Sequence, residues 1–151
     1  MKKKAMWLIP AAVFAADRVT KILAVGIPPE GIPLIPGVVR LCYAENTGAA
    51  FSMLSGHPWL LGVLSLLIIA GAFLFLRKKN IPVLAMTGLM MMLGGAAGNM
   101  IDRFVHGFVP DMIEVLFVDF AIFNVADTFL CVGCGLVIIH LLFGRTDEKK
   151  D

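Results

Sequence analysis

Charged side chains are scarce in this chain: Asp, Glu, Lys and Arg make up 16% of its 151 residues, against 59% apolar residues and a mean hydropathy of +0.89. Soluble domains carry about 25% charged residues, so an ordinary water-facing fold is excluded. Cysteine is sparse too. Cys131 and Cys134 have CxxC spacing, but they sit in an apolar run without a neighbouring histidine or further cysteine to complete a zinc set, and with Cys42 they are expected to be unpaired, buried thiols. Of the three histidines only His106 falls near the polar residues discussed below, which gives no basis for a serine or metal mechanism. The net charge of +2 is too small to suggest nucleic acid as a partner, and no cofactor or metal motif is present.

What the chain has is long apolar runs. Four of them, at about residues 5–25, 59–76, 82–101 and 127–143, approach the ~20 residues that a spanning helix requires. They predict an all-α membrane protein of one domain, residues 1–151, with four transmembrane helices and two longer connections at about 26–58 and 102–126. Lys2, Lys3 and Lys4 before the first run imitate a secretory signal peptide, but that run continues through Asp17, Arg18 and Lys21 instead of ending at a small-residue cleavage site, so it reads as an uncleaved first helix. Lys2, Lys3, Lys4, Arg77, Lys78, Lys79, Arg145, Lys149 and Lys150 occupy both termini and the short second-to-third connection, which the positive-inside rule assigns to the cytoplasm.

This topology sorts the polar residues by depth. Asp17, Arg18 and Lys21 fall in the outer half of the first helix, Asn99, Asp102 and Arg103 at the outer end of the third, Asp127 at the outer start of the fourth, and Asn46 and Asp111 in the outer connections. They converge on one surface, where a site would meet something held in the outer leaflet. In the first connection, VVRLCYAEN has the β-branched and aromatic content of a short strand, and TGAAFSML leads into an apolar segment suited to the interface. The second, with FVPDMIEVLFVDFAIFN, is too charged to span and too apolar for a free loop. Both are expected to form a small, β-containing extracytoplasmic cap.

Five blocks follow in order: DRVTK (Asp17 to Lys21), ENTGAAFS (Glu45 to Ser52), GGAAGNMIDR (Gly94 to Arg103), GFVPDMI (Gly107 to Ile113) and FNVAD (Phe123 to Asp127). Together they resemble the lipoprotein signal peptidases, or signal peptidase II, of bacteria, over nearly the whole chain. The resemblance implies an intramembrane aspartyl endopeptidase of the inner membrane that removes the signal peptide from diacylglyceryl-modified prolipoproteins just before the lipid-modified cysteine. It implies Asp111 and Asp127 as the catalytic pair and Asn46, Asn99, Asp102, Arg103, Asn124, Asp17 and Lys21 as supporting positions. It further implies membrane lipid as a partner and cyclic peptides of the globomycin type as inhibitors. One departure concerns the first aspartate, which the family usually presents as VVDF or VVDM and which here reads VPDM, with Pro110 before it in what is expected to be a loop. FVDF at Phe117 to Phe120 offers Asp119 as a competitor, but Asp111 stands eight residues after Arg103, the spacing of the family, and Asp119 stands sixteen after it.

Two carboxylates held close cannot both ionise cheaply, so such a pair shares a proton near neutral pH and can serve as acid and base without a metal or a covalent intermediate. The competing reading of the residues alone is two structural carboxylates, with Asp127 as the N-cap of its helix. Asp17 and Lys21, four apart, are expected to pair. Asp102 and Arg103 are expected to anchor the outer connection, Arg103 being also suited to a phosphate or a substrate carbonyl. Gly94 and Gly98 form a small-residue packing face, and the nine methionines read as packing or lipid-facing residues. The functional alternative is a non-enzymatic transporter or assembly factor that uses the acids to bind ions or protons. That class predicts polar residues along a path through the bilayer, which the inner halves of the spans lack.

Overall fold

The computed structural model describes residues 3–48, 54–78 and 81–144. In chain order they form helices α1 (Lys3–Met6) and α2 (Leu8–Ala24), strands β1 (Ile32–Ile35) and β2 (Val39–Asn46), helices α3 (Pro58–Lys78) and α4 (Val83–Val105), strand β3 (Val109–Val115) and helix α5 (Val125–Phe143). Lys2, Lys79, Arg145, Lys149 and Lys150 lie outside the described residues, as does 49–53 of the expected interfacial stretch.

Three helices are long and apolar enough to cross a membrane, Pro58–Leu76, Val83–Val105 and Val125–Phe143, so this is a multi-pass membrane protein. The segment expected as one first span divides at Trp7, and α2 is shorter, at 17 residues, with Asp17, Arg18 and Lys21 in its second half.

Helix α4 is the centre of the bundle. Of its apolar stretch 44% is buried inside the protein, against 11% for α3 and for α5, and α2, α3 and α5 all pack on it. Close approach without large side chains is how membrane helices gain packing energy. A Cβ added at Gly94 would stand 2.7 Å from the Pro10 carbonyl oxygen of α2, and one at Gly95 would stand 2.6 Å from the Ala126 carbonyl oxygen of α5. One end of the bundle is closed by Met6, Leu76, Met86 and the fully buried Met90. The polar residues begin nine positions later along α4, at Asn99, or ~14 Å further along its axis.

Strand β2 pairs antiparallel with β1 on one side and β3 on the other. The strand expected in VVRLCYAEN is therefore present as β2. The loop expected around Pro110 is instead the start of β3, which lies at the edge of the sheet, where a proline with no amide to donate is tolerated. Its register sets Ala44 opposite Asp111 and Asn46 opposite Val109, which brings Asn46 and Asp111 into a diagonal relation across the two strands. Met112 and Ile113 then donate backbone hydrogen bonds to the Phe123 carbonyl, so the chain folds back and delivers Asn124 and the start of α5 beside β3.

Cys131 and Cys134 are free but exposed, contrary to the expectation of burial, because α5 lies at the margin of the bundle and turns most of its surface outward.

Candidate active site

Asn124 organises the site. It is the N-cap of α5: its side-chain oxygen accepts from the Asp127 amide at 2.9 Å, and the Asp127 carboxylate accepts from the Asn124 amide at 3.2 Å, a reciprocal capping box. The cap is thus Asn124 and not Asp127, which occupies the third helical position and keeps its other oxygen for Asn99, whose Nδ2 donates to Oδ1 at 2.8 Å. The Nδ2 group of Asn124 donates to Oδ1 of Asp111 at 2.6 Å, while Asn46 Nδ2 donates to the other Asp111 oxygen at 3.0 Å. One fully buried asparagine side chain therefore binds both aspartates, sixteen residues apart in sequence.

Asp111 and Asp127 open on a cavity of about 470 Å³ whose polar lining also includes Asn46, Asn99, Arg103 and Thr128 and whose apolar wall includes Phe123 and Leu130. Burial pushes the Asp111 carboxyl up to about 6; the charge of Asp127 adds to this, while the amides of Asn46 and Asn124 and the charge of Lys21 oppose it. Arg103 is the cation of the cavity wall. Its Nη groups donate to the carbonyls of Gly48, at 3.0 Å, and Asn99, at 3.3 Å, and its buried Nε has no partner among the described residues. Carbonyls rather than carboxylates hold this guanidinium. Asp119 is exposed on the connection after β3 and does not line the cavity.

Behind Asn99 lies a charge cluster. Lys21 Nζ, almost wholly buried, donates to Asp17 at 2.9 Å, to Asp102 at 2.7 Å and to Asn99 Oδ1 at 2.7 Å. The expected Asp17–Lys21 pair is present, but it belongs to a larger set. Asp17 also accepts from the Ala126 amide at 3.2 Å, one of the unpaired donors at the start of α5. Asp102 does not anchor the outer connection, as expected, but binds α2, because α4 continues past it to Val105 and turns its carboxylate toward Arg18 and Lys21. The connection is held by Arg103 through Gly48.

Arg18, to which the sequence assigns no supporting role, also belongs to this cluster. Its two Nη groups reach Asp102 at 2.6 Å each, and Nη2 reaches Asp17 at 3.0 Å. Charge counting carried a signal for it: Asp17, Lys21 and Asp102 alone leave one surplus negative charge, which is costly in a buried set. Among the described residues, no group of three or more His, Cys, Asp or Glu is arranged to hold a metal ion.

The chain is similar to proteins of known family. Two lipoprotein signal peptidases of Streptococcus pyogenes, from serotype M5 (strain Manfredo) and serotype M18 (strain MGAS8232), are each 40% identical over 147 residues, covering 93% of this chain and 95% of the relative. A bacterial membrane enzyme solved by the in meso method at 2.3 Å resolution superposes with a TM-score of 0.89 at 29% identity, covering 99% of this chain and 94% of its own. A second, solved by the same method at 1.9 Å, gives 0.84 at 31% identity, covering 95% and 96%. The family model described as signal peptidase (SPase) II matches residues 9–143, nearly all of the described bundle. By that match and those relatives, the chain belongs to the signal peptidase II family.

Proposed function

We propose that this chain is an intramembrane aspartyl endopeptidase that cuts diacylglyceryl-modified prolipoproteins just before the lipid-modified cysteine, with Asp111 and Asp127 as the catalytic pair. The observation that carries the reading is Asn124, whose side-chain Nδ2 donates to the Asp111 carboxylate and whose backbone N–H donates to the Asp127 carboxylate, at the wall of one cavity. In its singly protonated form the pair holds an acid and a base together. The ionised carboxylate takes a proton from the attacking water, and the protonated one donates to the scissile carbonyl oxygen. The tetrahedral species then collapses as a proton passes to the leaving amine and the peptide C–N bond breaks. The Arg103 guanidinium is suited to a substrate carbonyl or a lipid phosphate at the cavity wall.

The same reading places the protein in the bacterial cytoplasmic membrane with both termini cytoplasmic, α1 and α2 together as a fourth span, and the sheet as an extracytoplasmic cap beside the active site. The ion-pathway alternative gains no support, since the end of the bundle opposite the aspartates is the methionine-rich apolar core. The test is purified protein in detergent with a diacylglyceryl-modified prolipoprotein, its unmodified form, and a globomycin-type cyclic peptide as competitor. Cleavage of the modified form before its cysteine, blocked by the cyclic peptide, is expected. No cleavage, or equal cleavage of the unmodified form, contradicts the reading.

A further inference from the structure

We propose that Arg18 is a positioning residue for peptide cleavage: by holding both oxygens of Asp102 it leaves one Lys21 N–H for Asn99, and so fixes the group that Asn99 turns toward Asp127. The inference rests on the catalytic reading of Asp111 and Asp127.

An ammonium has three N–H bonds, and Lys21 uses all of them, on Asp17, Asp102 and Asn99. Two of these acceptors are carboxylates with essentially no exposure, and the third is a neutral amide oxygen. Left alone with both carboxylates, an ammonium favours them over the amide, since charge-assisted bonds are about twice as strong as bonds to neutral acceptors. Arg18 removes that competition. Its fork donates from Nη1 to Asp102 Oδ1 and from Nη2 to Asp102 Oδ2, and Nη2 also meets Asp17, which makes the cluster of Asp17, Arg18, Lys21 and Asp102 neutral in sum. The Phe14 ring, one helical turn earlier on α2, lies 5.7 Å from the Arg18 guanidinium carbon and steadies its plane.

The consequence travels one residue further. Asn99 accepts at Oδ1 from Lys21 and from Asn124 and donates from Nδ2 to Asp127. If the Lys21 bond is lost, only the longer Asn124 bond, at 3.3 Å, holds the Asn99 oxygen in place; the amide turns more readily, and an oxygen facing Asp127 repels the carboxylate that its Nδ2 now holds. Arg18 has no hydrogen bond to Asp111 or Asp127 and does not line the cavity, so it touches no reacting atom.

The test compares Arg18→Met, Arg18→Lys and the double variant Arg18→Met with Asp102→Asn, measuring kcat and KM on the diacylglyceryl-modified precursor, with the wild type and Asp127→Asn as controls. Misplacing a catalytic group from a distance lowers turnover by roughly 10²-fold. Arg18→Met is expected to lose kcat on that scale while KM stays within about twofold, because substrate contacts are untouched. Arg18→Lys should fall between, restoring charge without the fork. Neutralising Asp102 in the Met background returns the third Lys21 N–H to Asn99 and should recover part of kcat, which a mere packing defect would not. Wild-type kcat in folded Arg18→Met, or a loss that Asp102→Asn does not relieve, overturns the inference. If Arg18→Met does not fold, Arg18→Lys decides: lowered kcat at unchanged KM supports the role and wild-type kcat refutes it. A wild type that does not cleave, or an Asp127→Asn control that does, overturns the catalytic reading and this inference with it, and is thereby told apart from failure at Arg18 alone.

Discussion

Replacing Asp111 by asparagine should make the protein more stable at alkaline pH while removing its activity. Asp111 is 2% exposed, and its carboxyl is pushed from an ordinary 3.8 up to about 6, chiefly by burial. Between those values the folded protein keeps a proton that the unfolded chain has released. The folded state therefore binds more protons there, so stability falls as pH rises through that window and levels off above it. At 1.36 kcal/mol per pH unit, the ionised carboxylate costs the folded state about 3 kcal/mol above about pH 6. An asparagine carries no such cost, but its NH₂ would face one of two donors that cannot reorient freely. The Asn46 oxygen is engaged by the Gly48 amide and the Asn124 oxygen by the Asp127 amide. One hydrogen bond is lost, worth about 1 kcal/mol. The net expectation is a gain of about 2 kcal/mol near pH 8, shrinking to nothing or a slight loss near pH 4. Thermal unfolding in one detergent, followed by circular dichroism at both pH values, measures it. A variant that melts below the wild type near pH 8, or by the same interval at both, refutes the reasoning.

Two further outcomes follow from the helix packing and the charge distribution. Gly98→Leu drives a side chain into the Asp17 carboxylate, against which even a Cβ at this position collides, and should lower stability by about 1–3 kcal/mol in detergent; unchanged melting would show that α2 and α4 do not pack through this face. Reporter fusions after Lys79 and after Asp151 should behave as cytoplasmic, and one within residues 26–48 as exported; an exported C-terminus would overturn the proposed orientation.

The sequence showed where polar chemistry collects, because hydropathy and the basic residues order the segments by depth and the aspartates sit at their ends. The Asp17–Lys21 pair, strand β2 and the packing role of Gly94 and Gly98 are legible from short-range pattern, whereas the pairing of Asp111 with Asp127 comes from the family resemblance. Contacts between distant segments are not legible in that pattern. Arg18 meets Asp102 across 84 positions, and only the crossing of α2 and α4 reveals that the carboxylate beside Arg103 faces inward to the cluster instead of outward to the connection. Asn124 and Asp127 have the three-residue spacing of a capping box, whereas the general preference for Asp at a helix start is what makes the aspartate the cap in the competing reading. Pro110 argued for a loop, and the edge position that admits it to a strand depends on where β2 falls. The exposure of Cys131 and Cys134 follows from the marginal place of α5, which hydropathy alone does not encode.

The central claim is that Asp111 and Asp127 together cleave the substrate, and it is tested most directly by turnover of a diacylglyceryl-modified precursor by folded Asp111→Asn, Asp127→Asn and Asp119→Asn. The first two should each lose at least ~10²–10⁴-fold in kcat, the scale of general acid–base catalysis, with substrate still bound, and the double variant should be hardly worse than either alone. Asp119→Asn should turn over like the wild type. Retained turnover in Asp127→Asn, or an active Asp111→Asn beside an inactive Asp119→Asn, would contradict the account.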